Sequence, residues 1–343
     1  MGDKPVHEEG AGGGDPTREP VESVNPWRPS LEQANPDSDQ ESNSSSSSKD
    51  SDVDEGPLSV LCWNVDGLMR DKWRERAQAV YDVVSKNSVD VVFLQEVVIS
   101  FFIHLSGCAK EGDYSIIPGD TEGYFTAVML KNSRVRFISH EIFPFPTSTM
   151  MRHLLAVKAE VSGRELYLLT SHLESMGPKS EERVRQLRRV LRRMALAPAH
   201  AAVIFGGDTN LRDKEVRRMG GLPGGVADVW EELGCPEEAR YTWDLSLNDN
   251  HQFDPPATPR LRFDRLLFRR VEPRRSSSPA AGSAAVAAFA PLSLRFVGTE
   301  RLPCGKFPSD HWGLLAHFQL WAERDEAGLD ATDALQALDV SGE

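Results

Sequence analysis

The apolar pattern divides the chain before any single residue becomes informative. The first 57 residues hold few large apolar side chains, an early glycine-rich patch, scattered prolines and the run SNSSSSSKDSDVDE. Such a segment cannot bury enough surface to offset its ordering entropy, so residues 1–57 are expected to form a disordered tail. From residue 58 the texture changes. PLSVLCWNVDGL reads as a short buried strand halted by an Asn-Val-Asp-Gly turn. Trp73, Ala77, Val80, Tyr81 and Val84 then recur at helical spacing, and Val89 to Leu94 form a second apolar run that ends in QEV. GYFTAVMLK, LLAVKAEV and ELYLLTSHLES follow as strands, the pair 154–161 and 165–171 joined by Ser-Gly like a hairpin.

A further helix carries Val184, Leu187, Leu191 and Met194 on one face. Arg183, Arg185, Arg188, Arg189, Arg192 and Arg193 lie largely off that face. AAVIFGGDTNLRD is the strand after it, and RLRFDRLLFR and HWGLLAHFQL close the pattern. Between the last two, residues 273–291 are rich in Ser, Pro and Ala and predict a flexible insertion. There is no internal repeat. Strands alternating with helices predict one α/β domain over residues 58–321, followed by a second tail at 322–343.

Charge sharpens this partition. Residues 1–57 carry 4 basic and 14 acidic side chains, residues 322–343 carry 1 and 7, and the remainder holds 34 basic against 31 acidic. The net charge of −13 therefore resides in the tails, and an arginine-rich middle stays compatible with nucleic acid. MGDKPVHEEG has no apolar signal core and no run of 18 apolar residues occurs, so a soluble chain with no secretory routing and no membrane partner is expected. Cys62, Cys108, Cys235 and Cys304 are far apart with no CxxC pair, which fits reduced thiols in a nucleus or cytosol and no structural zinc.

Polar groups cluster where the apolar runs end. Asn64 and Asp66 follow the first run, Glu96 the second, His172 and Glu174 a later one, Asp208 and Asn210 another; Asp310 and His311 precede the last. Strand ends are where α/β proteins place chemistry. Hard oxygen donors such as Glu96 and Asp66 suit Mg²⁺ or Mn²⁺. With a carboxylate base and a histidine beside an acid, they point to phosphoester hydrolysis. Each group alone also has a plainer explanation. Asp208 could cap a helix, Glu96 could be a solvated strand end, His311 a satisfied core histidine, and the arginine face a solvated one.

Together and in order, WNVDGL, FLQEV, SHLES, GGDTNLRD and PSDHWGLL resemble the endonuclease/exonuclease/phosphatase superfamily. GYFTAVMLK, PFPTSTMMR, YTWD and LRFDR sharpen the resemblance to one branch, which removes a tyrosine from the 5′ phosphate of DNA after an abortive topoisomerase II reaction. The resemblance implies a four-layered α/β sandwich, two mixed β-sheets flanked by helices, over residues 58–321. It implies Glu96 as a direct Mg²⁺ ligand, with Mn²⁺ a substitute, and Asp66 close to the ion through water. Asp208 is implied to activate the attacking water, and Asn64 and Asn210 to position the water and the phosphate. His311 would donate to the phosphate oxygens while Asp310 orients its ring. Arg212 and the segment Ser171, His172, Leu173, Glu174 and Ser175 would grip the 5′ end, and Trp243 would stack on a base.

The implied partners are single-stranded or overhanged DNA ending in a 5′-phosphotyrosyl group and the topoisomerase II peptide remnant, with the tails as contacts for signalling proteins. The implied role is DNA repair in the nucleus, and also in the cytoplasm. Members of this branch often carry a small ubiquitin-binding helical domain ahead of the catalytic part, and residues 1–57 have no helical periodicity to build one. An abasic-site, 3′-end or other nuclease of the same superfamily and a non-catalytic signalling adaptor are the alternatives. The intact set of Glu96, Asp208, Asn210 and His311 weighs against the adaptor, and Arg212 with YTWD against the nuclease.

Overall fold

The computed structural model describes residues 56–253, 257–270 and 289–320. Nearly all of the expected tails and most of the expected insertion lie outside these residues.

The strands β1 (Leu58–Asn64) and β2 (Val91–Val98) run parallel and are apolar over most of their length because both of their faces are covered. Alternation splits their side chains. Leu58, Val60, Cys62, Val91 and Phe93 point into one apolar cluster, and Leu61, Trp63, Val92 and Leu94 into another. The second cluster is closed by α1 (Trp73–Lys86), through Ala77, Val80 and Val84, and by α2 (Ile99–Glu111), through Phe101, Leu105 and Ala109. The sequence pattern for α1 is met. Helix α2 escapes it because ISFFIHL is apolar on every side and follows β2 with no turn residue between them.

The first sheet is completed by β3 (Tyr114–Pro118), β4 (Tyr124–Lys131), β13 (Ala290–Val297) and β14 (Gly313–Gln319), in the order β13-β14-β1-β2-β4-β3. The second sheet holds β5 (Arg136–Pro144), β6 (His153–Val161), β7 (Arg164–His172), β8 (Ala202–Asp208), β9 (Val226–Asp228) and β12 (Asp264–Arg269), in the order β5-β6-β7-β8-β12-β9. The short strands β10 (Trp243–Asp244) and β11 (Arg260–Leu261) pair separately as a small antiparallel ribbon. Strands β6 and β7 form the expected hairpin, with Ser162 and Gly163 both at positive φ as a tight two-residue turn requires. Leu155, Val157, Leu166, Leu168, Ile204, Leu266 and Phe268 meet the first sheet's inner face. Helix α3 (Ser180–Leu196) buries Leu187, Val190, Leu191 and Met194 and packs on β8. Helix, sheet, sheet and helix make the four layers the resemblance implied.

Two details depart from the sequence pattern. Strand β13 begins at Ala290, inside the span read as an insertion, and Phe289 is buried with its ring stacked 5.0 Å from Phe318. Arg183, grouped with the solvated arginines, is fully buried, and its guanidinium pairs at 2.7 Å with Glu215 of the short helix α4 (Asp213–Arg218).

The two glycines of GGD answer to this packing. A Cβ on Gly206 would stand 2.3 Å from the Phe93 ring of the opposite sheet, and one on Gly207 would stand 2.2 Å from the Ser171 carbonyl oxygen. The strand must be bare there for β8 to lie against both neighbours.

Candidate active site

Each sheet contains one parallel pair, β1–β2 and β7–β8, and both pairs end at the same edge of the sandwich. Register places His172 opposite Asp208, and antiparallel β12 places Asp264 opposite Asp208 on its other side. The loop before β14 brings in Asp310 and His311.

Asp208 is the best-held group. It is 2% exposed, and its Oδ2 accepts from Asn64 Nδ2 at 2.9 Å while its Oδ1 accepts from the Asn210 amide nitrogen at 2.9 Å. His172 Nε2 lies 3.3 Å and His311 Nε2 3.9 Å from the same Oδ2. Asn210 Nδ2 is 3.0 Å from His172 Nε2. The two imidazoles are in opposite charge states. Burial and the neighbouring Arg152 guanidinium push His172 down to about 3, so it is neutral at physiological pH. Burial also disfavours charge on His311, but Asp264 and Asp310 outweigh it and raise its basicity well above that of a free imidazole.

The orienting acid is Asp264. Its Oδ2 sits 2.7 Å from His311 Nδ1, and the residue is fully buried. This corrects the expectation that Asp310 orients the ring. The Asp310 carboxylate accepts from the Trp243 indole nitrogen at 3.0 Å and lies 4.0 Å from His311 Nε2, on the ring's far nitrogen. Asp264 sits in the string LRFDR, but an acid opening an apolar strand gives no sign that its partner lies 47 residues away.

Glu96, at the end of β2, and Asp66, just beyond β1, supply the first sheet's side of the site, with Glu96 Oε1 3.8 Å from His172 Nδ1. Val92, Leu94 and Val97 all face the helices although Val97 breaks the alternation; a bulge between Leu94 and Val97 accommodates the extra residue and frees Glu96 for the site. Glu96 has φ +56°, Asp66 +46° and Asn210 +50°, conformations costing roughly 1–3 kcal/mol each for such residues. Three of the nine non-glycine residues at positive φ among the described residues thus stand at the site. Burial, then the Asp310 charge, push the Asp66 carboxyl up to about 8 and that of Glu96 up to about 7. The buried Arg76, 3.1 Å from Asp66 Oδ2, offsets only part of this.

Three crowded carboxylates, Glu96, Asp66 and Asp310, with oxygen donors only and too little positive charge beside them, fit a hard divalent cation. Among the described residues, however, the acids and histidines whose ligand atoms all lie within 4.8 Å of one another are Asp208, Asp264 and His311. In that trio Nδ1 is already bonded to Asp264, so it reads as a proton-positioning chain rather than an ion cradle.

The segment expected to grip DNA is mostly internal. Ser171, Leu173 and Glu174 are fully buried, and only Ser175 of the five reaches the surface appreciably. Ser171 donates to the His153 carbonyl at 2.7 Å. Glu174 accepts from Ser148, from Thr149 through both its amide and its hydroxyl, and from Gln186. These bonds hold the Glu174 carboxyl down to about 2 despite the opposing effect of burial, and they fasten the loop carrying Arg152. Arg152 donates to His172 Nδ1 at 3.1 Å and to Ser175 Oγ at 3.1 Å and stacks 4.9 Å from the Tyr124 ring. Neither Arg152 nor Tyr124 was singled out by sequence, although PFPTSTMMR and GYFTAVMLK contain them. Arg212 caps α4, donates to the Asn210 carbonyl at 2.8 Å and lies 5.3 Å from the Phe263 ring. Trp243 is half-buried beside Phe263, at 5.5 Å, and His311, at 6.4 Å.

A buried carboxylate between two amides and two imidazoles, beside a second acidic cluster, defines a metal-assisted phosphoesterase site. The family model described as the Endonuclease/Exonuclease/phosphatase family matches residues 61–311, and the chain belongs to that family. Within the family its similarity is to proteins named tyrosyl-DNA phosphodiesterase 2. The Xenopus laevis protein is 49% identical over 267 residues, 78% of this chain and 68% of its own length. The human protein is 45% identical over 284 residues, 82% and 74% of the two chains. The crystal structure of D. rerio TDP2 complexed with single-strand DNA product superposes with a TM-score of 0.69 at 44% identity, over 77% of this chain and 99% of that one.

Proposed function

We propose that the chain hydrolyses the bond between a tyrosine and the 5′ phosphate of DNA, with Mg²⁺ as its ion and Mn²⁺ as a substitute. The substrate is a single-stranded or overhanged 5′ end, left with a topoisomerase II peptide remnant, and the work is done in the nucleus and also in the cytoplasm. The observation that carries the reading is Asp208, held on both oxygens by Asn64 and the Asn210 amide.

Asp208 takes the proton of the attacking water. Asn64 and the Asn210 amide fix its carboxylate so that no reorganisation is needed at that moment. His311, kept cationic and oriented by Asp264, donates to the phosphate oxygens as negative charge builds on them. His172, neutral, adds no charge that would compete with the acids. Arg152 stands on its far side as a fixed cation beside the ring of Tyr124. Glu96, with Asp66 and Asp310, would hold the divalent ion, which supplies Lewis-acid polarisation of the phosphoryl group. The tyrosyl oxygen leaves as a phenolate; a tyrosine hydroxyl ionises near pH ~10, which makes it a far better leaving group than a sugar alkoxide.

The test is a substrate panel: oligonucleotides with 5′-phosphotyrosine, with 3′-phosphotyrosine and an abasic duplex, each with and without Mg²⁺, for wild type and Glu96→Ala. Metal-dependent conversion of the 5′-tyrosyl substrate alone, abolished by the substitution, is expected. Conversion of the abasic duplex instead would overturn the substrate while keeping the metal chemistry.

A further inference from the structure

The arginine face of α3 has no part in the site just described. Arg185, Arg188, Arg189 and Arg192 are exposed along it. Arg185 pairs with Glu182 at 2.8 Å, whereas Arg188, Arg189 and Arg192 have no partner among the described residues. Helix α4 sits beside the first half of α3, joined to it by the buried Arg183–Glu215 pair, and adds exposed Lys214, Arg217 and Arg218, also unpaired among the described residues. A cleft of about 470 Å³ lies between the helices, lined by Ser180, Lys214, Glu215, Arg217 and Arg218. Its single acid is already neutralised by Arg183, so the cleft presents net positive charge.

Beyond its first turn, where Glu181 and Glu182 stand, α3 carries no charged side chain but arginine, whereas α1 mixes Arg74 with Glu75 and Asp82 as a face kept only for solubility would. Arginines at i, i+1, i+4 and neighbouring positions repel one another and work against the helix. The repulsion is relieved by a polyanion.

We propose that α3 and α4 form a basic ridge that carries the sugar–phosphate backbone of the nucleic-acid strand whose 5′ end lies in the active site. This rests on the reading of the site as a 5′-end hydrolase. Both helices are entered directly from site strands: α4 begins five residues after Asp208 and α3 begins eight after His172. The ridge therefore starts at the catalytic edge and runs away from it. Side chains three and four apart on a helix are roughly 5–6 Å from one another, a spacing that successive phosphates of an extended strand can follow. Arginine, with its planar fork, is the side chain suited to phosphate. A lipid surface fits less well, because the apolar side of α3 is spent on the core and leaves nothing to insert.

The experiment measures binding of the full chain to an unmodified 20-nucleotide single strand bearing a 5′ hydroxyl, across salt concentrations, for wild type and a variant with Arg188→Gln, Arg189→Gln, Arg192→Gln, Arg217→Gln and Arg218→Gln. Each lost phosphate contact should reduce the slope of log affinity against log salt by about 0.7. A loss of at least about tenfold in affinity near 0.1 M salt is expected. Turnover of a 5′-tyrosyl dinucleotide, too short to run along the ridge, stays at the wild-type rate, while KM for a 5′-tyrosyl 20-mer rises. Unchanged affinity and slope in the variant overturn the proposal. Tighter DNA binding by the variant also overturns it, and assigns the ridge to the chain's own acidic tail. If wild type turns over neither substrate while the binding difference persists, the ridge is supported and the tyrosyl reading fails.

Discussion

The two sheets meet at one edge but bring opposite kinds of side chain to it. The first sheet supplies Glu96 and Asp66, each partly exposed, on strained backbone, with carboxyls pushed up to about 7 and about 8 by burial and by Asp310. The second supplies Asp208 and Asp264, both buried, each within hydrogen-bond reach of a group from the other sheet's elements. One half is short of positive charge and the other is held by partners, with Asp264 Oδ1 alone of its four carboxylate oxygens left without a hydrogen bond. The first suits an ion that arrives from solution, and the second suits a proton acceptor that must not move. Asn64 and His311 belong to the first sheet's elements yet serve Asp208 and Asp264, so the site exists only while the two sheets keep their register.

Disabling the base should have the largest effect. Asp208→Asn keeps the volume and removes the proton acceptor, and kcat should fall ~10²–10⁴-fold with DNA affinity retained. Glu96→Gln should instead raise the metal concentration needed for half-maximal rate; a metal titration of both variants separates the two halves. Asp264→Asn comes next. A hydrogen bond to a charged partner is worth roughly 1.5–3 kcal/mol, so turnover should drop about 10–100-fold. Because Asp264 raises the His311 pKa most and Asp310 next, loss of Asp264 should move the alkaline limb of the kcat/KM profile to lower pH, and Asp310→Asn should move it less while also raising the metal concentration needed for half-maximal rate.

Gly207→Ala probes the register itself. Its Cβ would meet backbone at 2.2 Å, so urea melts should show about 1–3 kcal/mol of destabilisation. The smallest effect expected is on acid stability. Glu174 has its pKa depressed from 4.5 to about 2, so its contribution is full above pH 4.5 and fades as pH falls toward 2. Glu174→Gln should flatten that part of the stability profile and loosen the Arg152 loop.

Sequence reading located the site through its strand ends. Asn64, Glu96, His172, Asp208 and Asn210 each stand at the close of an apolar run, and strand termini on one edge must converge. It could not reach Asp264, because the acid that orients His311 opens a strand rather than closing one. Nor could it tell that Ser171, Leu173 and Glu174 point inward, since the alternation of β7 is masked by burial on both faces. Arg183 was misplaced because a buried ion pair looks like a surface arginine until its partner, 32 residues on, is known.

The central claim is that water activated at Asp208 attacks phosphorus and expels the tyrosyl oxygen. The direct test is to hydrolyse a 5′-phosphotyrosyl oligonucleotide in ¹⁸O-labelled water and identify both products by mass. Free unlabelled tyrosine with the label on the oligonucleotide's 5′ phosphate is the predicted result, and a 5′-hydroxyl end with released phosphotyrosine would contradict it.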